Sequence, residues 1–182
     1  MKCPVCNTIA LAAFELQPNV VARKCTSCGG LWLGSREFSN WIEAIQTGKA
    51  AESTDPSTPV PTTEPKAAKI CPGCGHLMAR YKVGHTLTFT LDRCGNCGGT
   101  WFDGNEWETL RGGELWDQIH LIFSPAWQNR IRREDQVEHL REQFAAKLGP
   151  VDFAESNRIK KWLDNHPHRE AILAYLISEK DR

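Results

Sequence analysis

Eight cysteines constrain this chain more than anything else in it, because all of them fall in Cys-x-x-Cys pairs: Cys3/Cys6, Cys25/Cys28, Cys71/Cys74 and Cys94/Cys97. Two sulfurs so spaced can reach one ion from a single turn, and two such pairs supply a tetrahedral set. The first two pairs are separated by 18 residues and the last two by 19, which is room for one hairpin in each set. A unit of about 45 residues cannot bury enough apolar surface to fold unaided, so it needs a staple. Cys3, Cys6, Cys25 and Cys28 are therefore expected to hold one structural Zn2+, and Cys71, Cys74, Cys94 and Cys97 a second. Four thiolates leave no open position for catalysis. Rubredoxin-like iron uses the same geometry, so spacing leaves that ion open, with zinc the usual occupant. Redox chemistry of the thioredoxin type needs one such pair at a strand end, and four matched pairs are the wrong number.

The residues after each second pair repeat as well. Gly29-Gly30, Trp32 and Glu37 in the first set correspond to Gly98-Gly99, Trp101 and Glu106 in the second, where Asp103 is added. The glycine pairs are expected to let the backbone bend past the metal with positive φ. Trp32 and Trp101 are expected to cover the ribbon's apolar face and pin the helix that follows. Asp103 and Glu106 form a capping-box pair, in which the aspartate accepts from first-turn amides and the glutamate reaches back to the cap amide. His76 and His85 read as surface or turn histidines, since four cysteines already complete the site.

Taken in order, the first unit is residues 1–46: a hairpin from runs Ile9 to Leu16 and Val20 to Lys24, then a helix striped by Phe38, Trp41, Ile42 and Ile45. Residues 47–68 hold four prolines among Ser and Thr and read as an extended linker that keeps two ribbons apart as semi-independent units. The second unit is residues 69–113, with Leu77, Ala79, Tyr81 and Val83 alternating against Leu87, Phe89 and Leu91. Residues 114–182 lack cysteine and read as helical. Trp127, Ile131, Leu140, Phe144 and Leu148 form one stripe, Gly149-Pro150 stops it, and further helices follow to Asn165-His166-Pro167 and beyond. The fold class is thus two small metal-stapled β-ribbons, each a hairpin with a short helix, joined by a Pro-rich linker and followed by an α-helical region.

Each ribbon resembles the transcription factor IIB type zinc-ribbon family, whose pattern is Cys-x-x-Cys, a hairpin, then Cys-x-x-Cys-Gly-Gly-x-Trp with an acidic residue and a glutamate. Cys71 to Cys74 and Cys94 to Trp101, with Asp103 and Glu106, carry that pattern in full; the first copy has Gly34 in place of the aspartate. The resemblance implies zinc and a β-ribbon fold, and little about activity.

Composition narrows the functional classes. Among 182 residues, 22 basic and 22 acidic side chains cancel, and loading two four-thiolate zinc sites takes the chain to about −4, without the basic excess of a typical nucleic-acid binder. The cluster Arg130, Arg132 and Arg133 is offset by Glu134, Asp135 and Glu138. With no leader-like or membrane-length apolar run, a cytoplasmic protein without a membrane partner is expected. No nucleophile or base stands at recognisable spacing, so no enzyme is expected. The reading is a zinc-binding adaptor for protein partners through ribbons and a helical module carrying Trp127 and Trp162, with self-association through the C-terminal helices open. The alternative is a nucleic-acid-binding or transcription-related regulator.

Overall fold

The computed structural model describes residues 1–7, 9–17, 19–48, 67–84, 87–112, 115 and 118–178, so most of the expected linker lies outside the described residues, as does His85. The chain divides into two compact units, Met1–Ile131 and Arg132–Arg182.

The first unit is built on alternating strands. Hairpin β1 (Ala12–Gln17) and β2 (Val20–Lys24) turns through Asn19, whose φ of 68 suits an asparagine. A short strand β3 (Leu31–Leu33) then lies beside β2, and α1 (Ser35–Gln46) follows. The second ribbon repeats the order with β4 (Met78–Gly84), β5 (Leu87–Cys94), β6 (Thr100–Phe102) and α2 (Glu106–Arg111).

The ribbons do not stand apart as the linker composition suggests. They share one six-stranded sheet of order β1-β2-β3-β6-β5-β4, joined where β3 and β6 run antiparallel with Trp32 opposite Trp101. The physical reason is that each short strand would otherwise present an unpaired edge, and both of its faces are already apolar. Leu31 and Leu33 point to one face and Trp32 to the other; Phe102 and Trp101 divide in the same way.

That alternation produces two cores. On one face Leu33, Phe102, Val83 and Leu91 meet Phe38 and Trp41 of α1 and Trp107 and Leu110 of α2. The rings of Trp41 and Trp107 lie 4.7 Å apart, so the helices of the two ribbons pack on each other as well. Ile119 and Ile122 of α3 (Ile119–Ile122), with Trp127 and Ile131 from the start of α4 (Pro125–Asp164), complete this core. Trp127, expected to await a partner, is instead buried, and its indole N–H donates to the Val83 carbonyl at 3.0 Å. Its neighbour Gln128 behaves like a strand residue: its side-chain amide donates to the Lys82 carbonyl at 2.9 Å and accepts from the Lys82 N–H at 3.2 Å. The edge of β4 is thereby occupied.

The second unit contains the rest of α4 and α5 (Arg169–Ile177). Gly149, at φ 77, breaks α4 before Pro150, which cannot continue the ladder. The two arms so made flank a groove, and Leu163 is the one buried apolar side chain among the described residues of this unit. No helix among the described residues is long and apolar enough to cross a membrane.

Candidate metal centres

Four knuckles of one design set the sulfurs. In each, the residue four beyond the first cysteine donates its N–H to that cysteine's carbonyl: Asn7 to Cys3 at 2.9 Å, Gly29 to Cys25 at 3.0 Å, Gly75 to Cys71 and Gly98 to Cys94 at 2.9 Å. These four residues have φ between 60 and 77, which explains three glycines and an asparagine there. Inside the turn the amides face sulfur, with Val5 and Cys6 donating to Cys3 Sγ at 3.4 and 3.3 Å and Cys74 donating to Cys71 Sγ at 3.4 Å.

The result is two sulfur clusters, Cys3, Cys6, Cys25 and Cys28 in one and Cys71, Cys74, Cys94 and Cys97 in the other, each with all sulfurs within 4.8 Å of one another. Zinc at about 2.3 Å from each of four sulfurs would set them about 3.8 Å apart. The measured separations fit: 3.6 Å for Cys3–Cys28, 3.9 Å for Cys6–Cys25, 3.6 Å for Cys71–Cys97 and 3.4 Å for Cys74–Cys94. A disulfide needs about 2 Å, and all eight cysteines are free. The donor set therefore fits two structural Zn2+ ions, whose role is to supply folding energy. Without metal the thiols titrate apart, since burial pushes Cys71 up to about 12 while the His76 amide holds Cys74 down to about 5. Loading must release protons accordingly. His76 stands outside the four-sulfur cluster, with its Nδ1 3.2 Å from the Cys74 carbonyl oxygen.

The glycine pairs have two different jobs. Gly29 and Gly98 have positive φ, as their place in the knuckle requires. Gly30 and Gly99 do not, and they serve the opposite ribbon. A Cβ on Gly30 would sit 2.2 Å from the Trp101 ring, and one on Gly99 would sit 2.2 Å from Trp32. Each tryptophan thus lies across the other ribbon's knuckle rather than its own, and Trp32 also approaches Gly73 between Cys71 and Cys74. Both rings are buried among the cysteines of the second core.

One part of the second centre has no signature in the sequence. Lys69, two residues before Cys71, is buried, and its ammonium reaches Asp92 at 2.5 Å and Asp103 at 2.7 Å. Asp103 also accepts from the Trp101 indole at 2.7 Å, and its own amide donates to Glu106 at 2.7 Å. The capping-box expectation is therefore half met. Glu106 reaches back as expected, but Asp103 is taken by Lys69 and Trp101, and the residue preceding α2 is Asn105 in the left-handed conformation. Burial alone pulls a lysine down, yet the hydrogen bonds to Asp103 and Asp92 outweigh it and leave Lys69 raised above its ordinary value. Burial pushes Asp92 up.

Two hairpins stapled by four thiolates, each followed by a short strand and helix, define a double zinc-ribbon protein. Residues 2–44 and 70–111 each match the transcription factor zinc-finger family, the transcription factor IIB type zinc ribbon, so the chain carries two regions similar to that domain. Comparison with curated proteins and with solved structures gives no match.

Proposed function

We propose that this protein is a non-enzymatic adaptor that works by contact with other proteins, using its zinc ribbons as a rigid platform and its helical unit as the contact element. The observation that carries this reading is the distribution of effort along the chain. The residues repeated between the ribbons are consumed in metal binding and in Trp-to-glycine packing, whereas Arg132–Arg182 keeps Phe144, Trp162 and other large apolar side chains exposed. Exposed apolar surface of this extent marks interaction sites. Full-length protein immobilised in its zinc-loaded form should retain a specific partner from native extract, and Phe144→Glu should weaken that retention at least tenfold. Equal retention by the variant, or none by the parent, would remove the reading.

A second reading, a nucleic-acid-binding regulator of transcription, draws on the description of the matching family. Against it stands the equal number of basic and acidic residues, and the Arg130 guanidinium lies 4.3 Å over the Trp127 ring. Gel mobility with DNA and RNA at low salt tests it, since a binder dominated by phosphate contacts is strongest there.

A further inference from the structure

The two metal centres carry the same lid, held in two different ways. Trp32 lies over the second cage, against Gly73 and Gly99, and Trp101 lies over the first, against Gly30. An indole covers a neighbour only while its ring keeps one orientation, and its N–H is the polar handle by which that orientation can be fixed. In the second ribbon the handle is used: the Trp101 N–H donates to Asp103 at 2.7 Å. In the first ribbon the position of Asp103 is taken by Gly34, which offers Trp32 no carboxylate.

Asp103 is itself held from two sides. Its second carboxylate oxygen receives the Lys69 ammonium at 2.7 Å, and its own N–H donates to Glu106 at 2.7 Å. Lys69 in turn donates to Asp92 at 2.5 Å, and the Arg80 guanidinium lies 3.5 Å from the other oxygen of Asp92. Lys69, Asp92, Trp101, Asp103 and Glu106 are all buried. Charge-assisted hydrogen bonds away from water are the strong ones, so the carboxylate that grips the indole is not free to swing. Direct contacts therefore run from Lys69, two residues before the ligand Cys71, through Asp103 and Trp101 to Gly30, two residues after the ligand Cys28. The line crosses from one ribbon to the other at the ring.

We propose that Asp103, braced by Lys69, is a positioning residue for the metal centre of the opposite ribbon: by fixing the Trp101 ring on Gly30 it holds the Cys25–Cys28 knuckle shut. A chelator reaches a four-thiolate ion only when a knuckle lifts, and this one lifts only after the ring above it turns. A purely local role predicts the reverse order, because Lys69 adjoins Cys71 and Asp103 follows the Cys94–Cys97 knuckle. The two centres are accordingly unequal, and the charged cluster of one ribbon sets how long the other keeps its metal.

The test uses full-length protein carrying two zinc ions, mixed with excess chelator and pulsed with N-ethylmaleimide. Peptide mass spectrometry then reads each cage by its own cysteines, Cys3, Cys6, Cys25 and Cys28 against Cys71, Cys74, Cys94 and Cys97. Asp103→Ala removes the acceptor and keeps the ring, and it should speed labelling of the first cage about tenfold, more than it speeds the second. Lys69→Met should act in the same direction by a smaller factor, since the indole keeps its acceptor and loses only the brace. Asp92→Asn weakens the same buried cluster without removing the indole's acceptor, and it should leave the first cage within about twofold of the parent. If Asp103→Ala does not take up two ions, Asp103→Asn, which keeps the size of the side chain and loses the ionic brace, carries the test on the same criteria. The proposal is overturned if the second cage gains most, if both cages gain equally, or if neither changes. It is overturned as well if Asp92→Asn opens the first cage as fast as Asp103→Ala, because general loosening of the cluster would then be the cause.

Discussion

The two ribbons share a metal cage and differ in what surrounds it. At the positions of Lys69, Asp92 and Asp103 in the second ribbon, the first has Met1, Arg23 and Gly34. The second ribbon therefore holds a buried ion-paired cluster between its first ligand pair and α2, and among the described residues of the first no such cluster is seen. What they retain in common is the tryptophan laid over the other's glycine. The cage and the cross-ribbon contact are thus the repeated structural requirements, and the charged cluster is an addition that one copy makes alone.

The largest effect should come from removing metal, and it tests how far the copies depend on each other. Structural zinc contributes on the order of 10 kcal/mol to the folding of such a unit. Cys97→Ser should empty the second cage, and because Trp32 rests on Gly99 and Gly73, it should also speed chelator-driven zinc release from the first at least tenfold. Cys28→Ser should act on the second cage through Trp101 and Gly30. Elemental analysis with stopped-flow release would read both effects; an untouched first cage in Cys97→Ser would show two independent ribbons.

Next in size is the cluster that only the second ribbon carries. Lys69→Met introduces the residue found in the first ribbon and leaves Asp103 buried without the ammonium and Asp92 with only the Arg80 guanidinium at 3.5 Å, which should cost about 3–5 kcal/mol in denaturant unfolding. The sign of its pH dependence follows from the raised Lys69 value: the ion pair stabilises fully below the ordinary lysine pKa, and that contribution is lost as pH rises through the higher folded value. Parent protein should therefore lose thermal stability above about pH 10.5, and Lys69→Met should show a shallower alkaline limb. Identical limbs would place no weight on the cluster.

Smaller still should be the overpacking of Gly30→Ala and Gly99→Ala, about 1–3 kcal/mol each, since the added methyl meets a buried indole at 2.2 Å. Combining Gly30→Ala with Trp101→Ala should recover that increment, while Gly95→Ala, with nothing within 4 Å, serves as a control. Non-recovery would return the role of Gly30 to its own knuckle. The smallest change is expected for Gly34→Asp, which adds the missing family aspartate where no lysine awaits it. Its Cβ would meet only the flexible end of Glu37, so a shift within about 0.5 kcal/mol is expected.

The metal centres were legible because their information is local: each knuckle is a five-residue turn, and each hairpin lies between its own ligand pairs. The helical stripe of α1 was legible for the same reason, with Phe38 and Trp41 buried as spaced. The shared sheet was not, since β3 and β6 are three residues long and too short to show a period. Their pairing also joins parts of the chain separated by a Pro-rich segment that argues for separation. Lys69 was hidden differently, because a lysine beside a ligand pair reads as solvated unless its two aspartates, 23 and 34 residues away, are known to meet it. Trp127 carried a correct helical stripe and a wrong destination, as its indole was needed by the Val83 carbonyl.

The antiparallel seam of β3 and β6, centred on Trp32 opposite Trp101, has the form of a contact between two identical molecules. Each side brings the same tryptophan and the same receiving glycine. A single ribbon of this kind therefore carries both halves of its own mating surface, and a tandem duplication inherits a working joint without any new residue. Once the joint is intramolecular, one copy can stand without a charged cluster of its own, because the neighbour that braces it can no longer diffuse away.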